Sequence, residues 1–190
     1  SASAWTGINA VDDLAAEHTI ILYDRRECGQ SSGRIERLSW ASYTRQGKML
    51  LDHLKIQSAW IMGGCMGCSV ALAFGVHYPD ATRGLLLHWP VGGYRWKINS
   101  RARFMRHYNF TKQNGLPAAV ERARGGKSFW MDSEGGPWAT EIARNNAFAA
   151  SFASQDLERY LGIVLTSGRS LFDRDTVPGA EPEEVVGVKA

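Results

Sequence analysis

The stretch from Ser58 to Pro79, SAWIMGGCMGCSVALAFGVHYP, restricts the fold of this 190-residue chain more than any other. Ala59–Met62 is a short apolar run, Gly63-Gly64-Cys65-Met66-Gly67 follows, and Ser69–Tyr78 has helical composition. The order is strand, tight turn, helix. G-x-Cys-x-G at such a turn is the pattern of a nucleophile elbow with a thiol in the place where serine is commoner. An elbow holds its nucleophile in a strained backbone conformation while strand and helix pass close by. Side chains at Gly63 and Gly67 are therefore expected to clash.

The neighbouring segments supply a frame for the turn. Val11–His18 reads as a short helix with Leu14 and Ala15 inward. Thr19–Tyr23 (TIILY) is a β-branched apolar run that suits a strand buried on both faces of a parallel sheet. The loop DRRECGQSSG follows. Ser39–Leu54 is the clearest helix: Ser39 is placed to cap it, and Trp40, Tyr43, Gly47, Leu50 and Leu54 recur at helical spacing. Tyr78-Pro79-Asp80 stops the helix after the turn, and Gly84–His88 (GLLLH) is the next buried strand. Strand, helix, strand, helix, strand from Thr19 to Pro90 argues an α/β fold with a mostly parallel sheet. From Gly92 the pattern changes. Aromatics and arginines alternate irregularly through Tyr94, Trp96, Phe104, Tyr108 and Phe110. Leu116–Arg124 and Trp138–Arg159 then look helical, Asp156–Ser170 offers a further helix, and Gly125-Gly126 and Gly135-Gly136 interrupt. This reads as a helical insertion over 92–172, after a core segment 1–91 and before a Pro- and acid-rich loop 173–190.

Composition removes several classes. No apolar run approaches the roughly 20 residues needed to span a bilayer, so no membrane association is expected. SASAWTGINA has neither a charged region nor an apolar core, and is not read as a signal peptide. Three cysteines, two of them at C-x-x-C spacing, make no disulfide framework, which favours a reducing, cytoplasmic compartment. Nine of the Lys and Arg residues, against one Glu, lie between Val91 and Trp130. They read as a solvated helical surface or as the approach to an anionic or polar substrate. No recognised module frames them for nucleic acid.

Three segments resemble the α/β-hydrolase fold family. ILYDRRECGQSS is similar to the family's Y-D-x-R-G-x-G-x-S strand and loop. LLDHLKIQSAWIMGG runs a helix into the elbow, and CSVALAFGVHYPDATRGLLL is like the family's passage from elbow helix to next strand. The resemblance covers Thr19 to Pro90 and implies that the later helices are a cap. Two positions depart from it: Glu27 stands where the family usually has Gly, and Cys65 stands where it usually has Ser. The resemblance also implies that the oxyanion motif of the family precedes Ser1, and that the base histidine and the acid lie beyond Ala190. The fold is thus expected to be incomplete at both ends, and the chain alone to be inactive.

A thiol attacks as thiolate, which a helix N-terminus favours, and the helix begins right after Cys65. The resemblance implies that the Met66 backbone N–H donates to the oxyanion of an acyl-transfer intermediate. The substrate would be a small molecule with an ester, thioester or similar acyl bond. Alternatives stay open: Cys65 as an inert residue in a decayed elbow, a non-catalytic binding protein on the same fold, and Cys65 with Cys68 as a redox pair. Two cysteines are too few for a closed zinc site, and no metal or cofactor is expected. His88 and Trp89, at the end of their strand, are placed to line a substrate pocket, although a structural role suits His88 as well. His18, His53, His77 and His107 read as surface or packing residues, and Asp24 as a carboxylate holding the turn after it. Asp173 and Asp175 fall in a loop. Trp96, Phe104, Phe129, Trp130 and Trp138 either line an apolar pocket or hold the cap helices together.

Overall fold

A computed structural model describes residues 9–31 and 33–172. Its elements, in order, are α1 (Asn9–Ala15), α2 (Trp40–His53), β1 (Ala59–Gly64), α3 (Gly67–His77), β2 (Thr82–His88), α4 (Tyr94–Arg124), α5 (Ala139–Arg144), α6 (Asn146–Ala153) and α7 (Leu157–Phe172). β1 and β2 pair in parallel, with Gly63 opposite Leu87 and Gly64 opposite His88. α3 is the crossover between them, so this part is an α/β unit of the expected kind. A short 3-10 turn at Pro79–Ala81 ends the crossover, where the proline removes a helical donor. The loop 173–190, with Asp173 and Asp175, lies outside the described residues.

α2 starts as its sequence dictates. The Ser39 hydroxyl accepts from Ser42 N–H, and the Ser42 hydroxyl accepts from Ser39 N–H, a reciprocal cap that satisfies two otherwise orphaned donors. The buried face carries Trp40, Tyr43, Thr44 and Leu51 rather than Leu54, which is exposed beyond the helix end. In α1 the inward residue is Val11, while Leu14 and Ala15 face solvent.

Two apolar clusters divide the packing. The larger joins Trp40 and Tyr43 of α2 to Phe104, Leu116 and Val120 of α4, Ile142, Phe152, and Tyr160 and Val164 of α7. The smaller sits under the sheet: Leu51, Phe74 and Ala81, with Ile21, Ile56 and Ile61 against it.

The sequence expectation fails at four places. Thr19–Tyr23 forms no strand. Its composition suits one, but a strand exists only through a ladder, and the sheet among the described residues is β1 with β2. Ile21 packs on the smaller cluster while Ile20, Leu22 and Tyr23 are more than a third exposed. β2, read as fully buried, buries Thr82 and Gly84 and leaves Leu86 and Leu87 half-exposed. The irregular stretch after Gly93 is helix: α4 runs on to Arg124 with a break at Gly115, whose φ of 82° lies outside helical space just before Leu116-Pro117. The reverse holds at Trp138–Arg159, where α5, α6 and the start of α7 replace one continuous helix. Asn145 caps α6 by accepting from Phe148 N–H, and Asp156 accepts from Arg159 N–H at the start of α7.

His107 is buried within the helical region. Its ring hydrogen-bonds the Tyr160 hydroxyl at 2.7 Å and the Glu134 carbonyl at 2.7 Å. Burial lowers its pKa to about 4. His107 is thus a neutral packing residue. No described helix is long and apolar enough to cross a membrane.

Candidate active site

β1 delivers Gly63 and Gly64 to the turn, and Cys65 follows with φ of 54°. For a side-chain-bearing residue this left-handed conformation costs about 1–2 kcal/mol. It persists because neighbours fix it. Cys65 N–H donates to the His88 carbonyl at 3.0 Å, extending the β1–β2 ladder into the turn, and Cys68 N–H donates back to the Cys65 carbonyl at 3.0 Å. The Cys65 side chain is exposed.

The two motif glycines are not equivalent. A Cβ on Gly63 would lie 2.1 Å from the Gly67 carbonyl oxygen and 2.8 Å from Cys68 N, so the strand and helix backbones leave no room for a side chain. A Cβ on Gly67 meets nothing within 4 Å, and the clash expected there is absent. Only Gly63 is demanded by the close approach.

The two cysteines of the turn also differ. Cys68 is buried, and its thiol lies 3.1 Å from the Gly63 carbonyl and 3.3 Å from the His88 carbonyl, donating toward both. Burial, with nearby Cys65, pushes the Cys68 thiol up. As the neutral thiol it ties α3 to the ends of both strands. Met66 is the N-cap of α3, and its N–H donates to no acceptor among the described residues. Helix N-terminal N–H groups of this kind are free to bind an anion.

Beside Met66 lies a cavity of about 270 Å³. The loop after Tyr23 forms one side through Arg25, Arg26, Glu27 and Cys28. Phe104, Phe129, Trp130 and Trp138 form an aromatic side, and Glu141 and Arg144 approach from α5. Four of the five aromatics singled out in the sequence therefore line it. Three of them, Phe104, Phe129 and Trp138, are also core residues, so the two roles foreseen for them coincide. Trp96 instead stacks on Trp130, with ring centroids 6.0 Å apart.

His88 and Trp89 are not among the cavity's lining residues. His88 meets the turn through its carbonyl, and the Trp89 side chain is 76% exposed. The residues that sequence reasoning passed over are in the loop. Asp24 behaves as expected: its carboxylate accepts from Gln30 N–H at 3.0 Å and its carbonyl accepts from the Ser31 hydroxyl at 2.7 Å. That turn folds Arg25 and Glu27 inward. Glu27, with φ of 57°, takes the conformation that favours glycine, which accounts for the sequence signal at this position. Its carboxyl is buried, 3.5 Å from Arg26 Nε. Burial pushes it up to about 7, against the opposing pull of Arg26. Among the described residues no group of three His, Cys, Asp or Glu is placed to hold a metal ion.

A parallel strand pair joined through a helical crossover, with a strained thiol at the turn between strand and helix, defines an α/β protein built around an elbow. The sequence model of the alpha/beta hydrolase fold matches residues 1–132, and the chain belongs to that family. It is similar to a proline iminopeptidase of Arabidopsis thaliana, 33% identical over 73 residues. That match covers 37% of this chain and 19% of the relative's length. No solved structure matches.

Proposed function

We propose that the protein is a hydrolase or acyl-transfer enzyme in which Cys65 is the nucleophile and the Met66 N–H an oxyanion donor. The observation that carries this reading is the φ of 54° at an exposed thiol held between β1 and α3. Strain of this kind at a non-glycine residue is retained where the side chain must be presented at a fixed angle. In the first step the Cys65 thiolate adds to the carbonyl carbon of an ester, thioester or similar small acyl substrate. The oxygen takes the negative charge, within reach of the Met66 N–H at the head of α3. Collapse of the intermediate breaks the bond to the leaving group, which takes up a proton, and leaves an acyl thioester on Cys65. A reducing, cytoplasmic setting suits three free thiols. The relative named above supports hydrolysis as the reaction class. No base histidine is assigned to the reaction from the described residues.

The redox reading of Cys65 and Cys68 has less support, since the Cys68 thiol is buried and held by two carbonyls. A non-catalytic protein that binds a ligand on the same fold is the competing reading. Intact-mass spectrometry after incubation with an activated ester such as p-nitrophenyl acetate separates them. A single acetyl adduct, absent from Cys65→Ala, is expected. In the full-length protein, the absence of any adduct, or an adduct that survives in Cys65→Ala, refutes the nucleophile assignment. A reversible disulfide between Cys65 and Cys68 in the oxidised protein would favour the redox reading.

A further inference from the structure

The first half of α4 turns outward a face that the described core does not use. At about 100° per residue the helix buries Ser100, Phe104, His107 and Thr111 on one side. Tyr94, Ile98, Ala102 and Met105 recur at helical spacing on the opposite side. Tyr94 is 78% exposed and Ile98 48%. Arg95 and Arg106 flank this stripe on one side, Arg101 and Lys112 on the other, and all four are exposed. Arg95, Arg106 and Lys112 form no ion pair among the described residues. Six Lys and Arg, and no Asp or Glu, lie between Tyr94 and Gly115. A helix whose outer side is merely solvated mixes charges of both signs and keeps its large apolar side chains inward.

We propose that this face of α4 is a peripheral docking surface for a membrane of anionic phospholipid. Charge complementarity carries the assignment: the helix shows one sign of charge over about five turns, with no carboxylate of its own to repel a lipid headgroup. An apolar stripe between basic flanks is the arrangement of a helix that lies in the interface plane, its stripe entering the acyl boundary and its cations meeting the headgroups. The face is the convex side of one helix, which fits a flat bilayer. A nucleic acid would match the charge but leave Ile98 and Met105 without a role. A peripheral contact needs no spanning run, so the expectation of no membrane association, drawn from the lack of such a run, does not extend to it. Contact here is independent of the chemistry at Cys65.

The test sediments the full-length protein with vesicles of phosphatidylcholine alone and of phosphatidylcholine mixed with phosphatidylserine. The mixed vesicles are expected to carry the protein down and the neutral ones to leave it in solution. Binding should fall steeply toward about 1 M salt, where the screening length shrinks to about 3 Å. Arg95→Gln with Arg106→Gln is expected to weaken binding roughly twenty-five-fold, about fivefold for each charge. Tyr94→Ser with Ile98→Ser should weaken it by about tenfold or more at every salt concentration, since burial of apolar area is not screened. Arg124→Gln with Lys127→Gln removes two exposed charges off the stripe and should bind within about twofold of the parent. No binding to the mixed vesicles, or equal binding to both kinds, overturns the proposal whatever the variants do. Equal losses in the two charge pairs overturn the choice of face. Salt-sensitive retention of a single-stranded oligonucleotide without vesicle binding assigns the charge to nucleic acid and overturns the lipid assignment.

Discussion

Gly63→Ala and Gly67→Ala change the same residue type, four positions apart in one motif, and the structure predicts opposite outcomes. At Gly63 the new Cβ would lie 2.1 Å from the Gly67 carbonyl oxygen and 2.4 Å from its carbon, where ordinary contact begins at 3.4 Å. The backbones must part by about 1.3 Å for the methyl to fit. Neither side yields easily. Gly63 is in the ladder opposite Leu87, and its carbonyl takes the Cys68 thiol. Overpacking against fixed backbone sits at the upper end of its usual range, about 3 kcal/mol. With a urea slope of about 1–3 kcal/mol per molar, the unfolding midpoint should fall by roughly 1–3 M. Gly67 opens α3 with nothing within 4 Å of its Cβ position, and alanine is the better helix former by up to about 1 kcal/mol. Its midpoint should hold or rise. Urea titrations followed by far-UV circular dichroism, with slopes compared across the three proteins, read both effects. A Gly63→Ala midpoint within about 0.3 M of the parent, or an equal fall in Gly67→Ala, would refute the close-approach argument.

His107 and Glu27 should tilt stability against pH in opposite senses. The folded pKa of His107 is depressed from 6.5 to about 4, so its contribution is present above pH 6.5 and is lost as pH falls toward 4, by about 3 kcal/mol at most. The folded pKa of Glu27 is raised from 4.5 to about 7, so its contribution is present below pH 4.5 and is lost as pH rises to 7, with a similar ceiling. Glu27→Gln should therefore gain stability relative to the parent at pH 8 and not at pH 4, while His107→Gln should flatten the parent's acid slope between pH 6.5 and 4; denaturant midpoints across that range that do not move in these directions would count against both environments. Cys65→Gly should be more stable than the parent by about 1 kcal/mol, because glycine adopts a φ of 54° without the Cβ penalty, and should take no acetyl group from p-nitrophenyl acetate. A destabilised Cys65→Gly would show that the thiol side chain packs more than it strains.

The turn itself was legible in the sequence because its geometry is written in residue types. Gly63 must lack a side chain, and the apolar run, turn and helix are contiguous. Yet the pattern could not say which glycine was needed, since that depends on where the Gly67 carbonyl lies. Thr19–Tyr23 misled because composition describes what a strand prefers and a ladder needs a neighbour. The helix from Tyr94 was hidden by arginines and aromatics that bury only a few positions, among them Ser100, Phe104, His107 and Thr111. The cavity was out of reach altogether. It joins residues from 25–28, 128–130 and 137–144, and nothing in the sequence separates Arg25, half-buried over Tyr43, from Arg26, paired in solvent. The φ preference at Glu27 was visible as a departure from an expected glycine, a signal that marked an unusual backbone before any contact was known.

The carbonyl of His88 serves the Cys65 amide and the Cys68 thiol at once, and the chain departs from that same peptide toward α4 through Trp89, with φ of 59°. The junction between sheet and helices is therefore also the clamp on the thiol-bearing turn. One consequence is for modularity. A chimera that exchanges the helical region with a seam at His88–Trp89 would rotate the peptide plane that orients Cys65, whatever the quality of the grafted helices. Moving the seam to Gly93, where α4 begins, keeps that plane native and leaves the helices free to be exchanged.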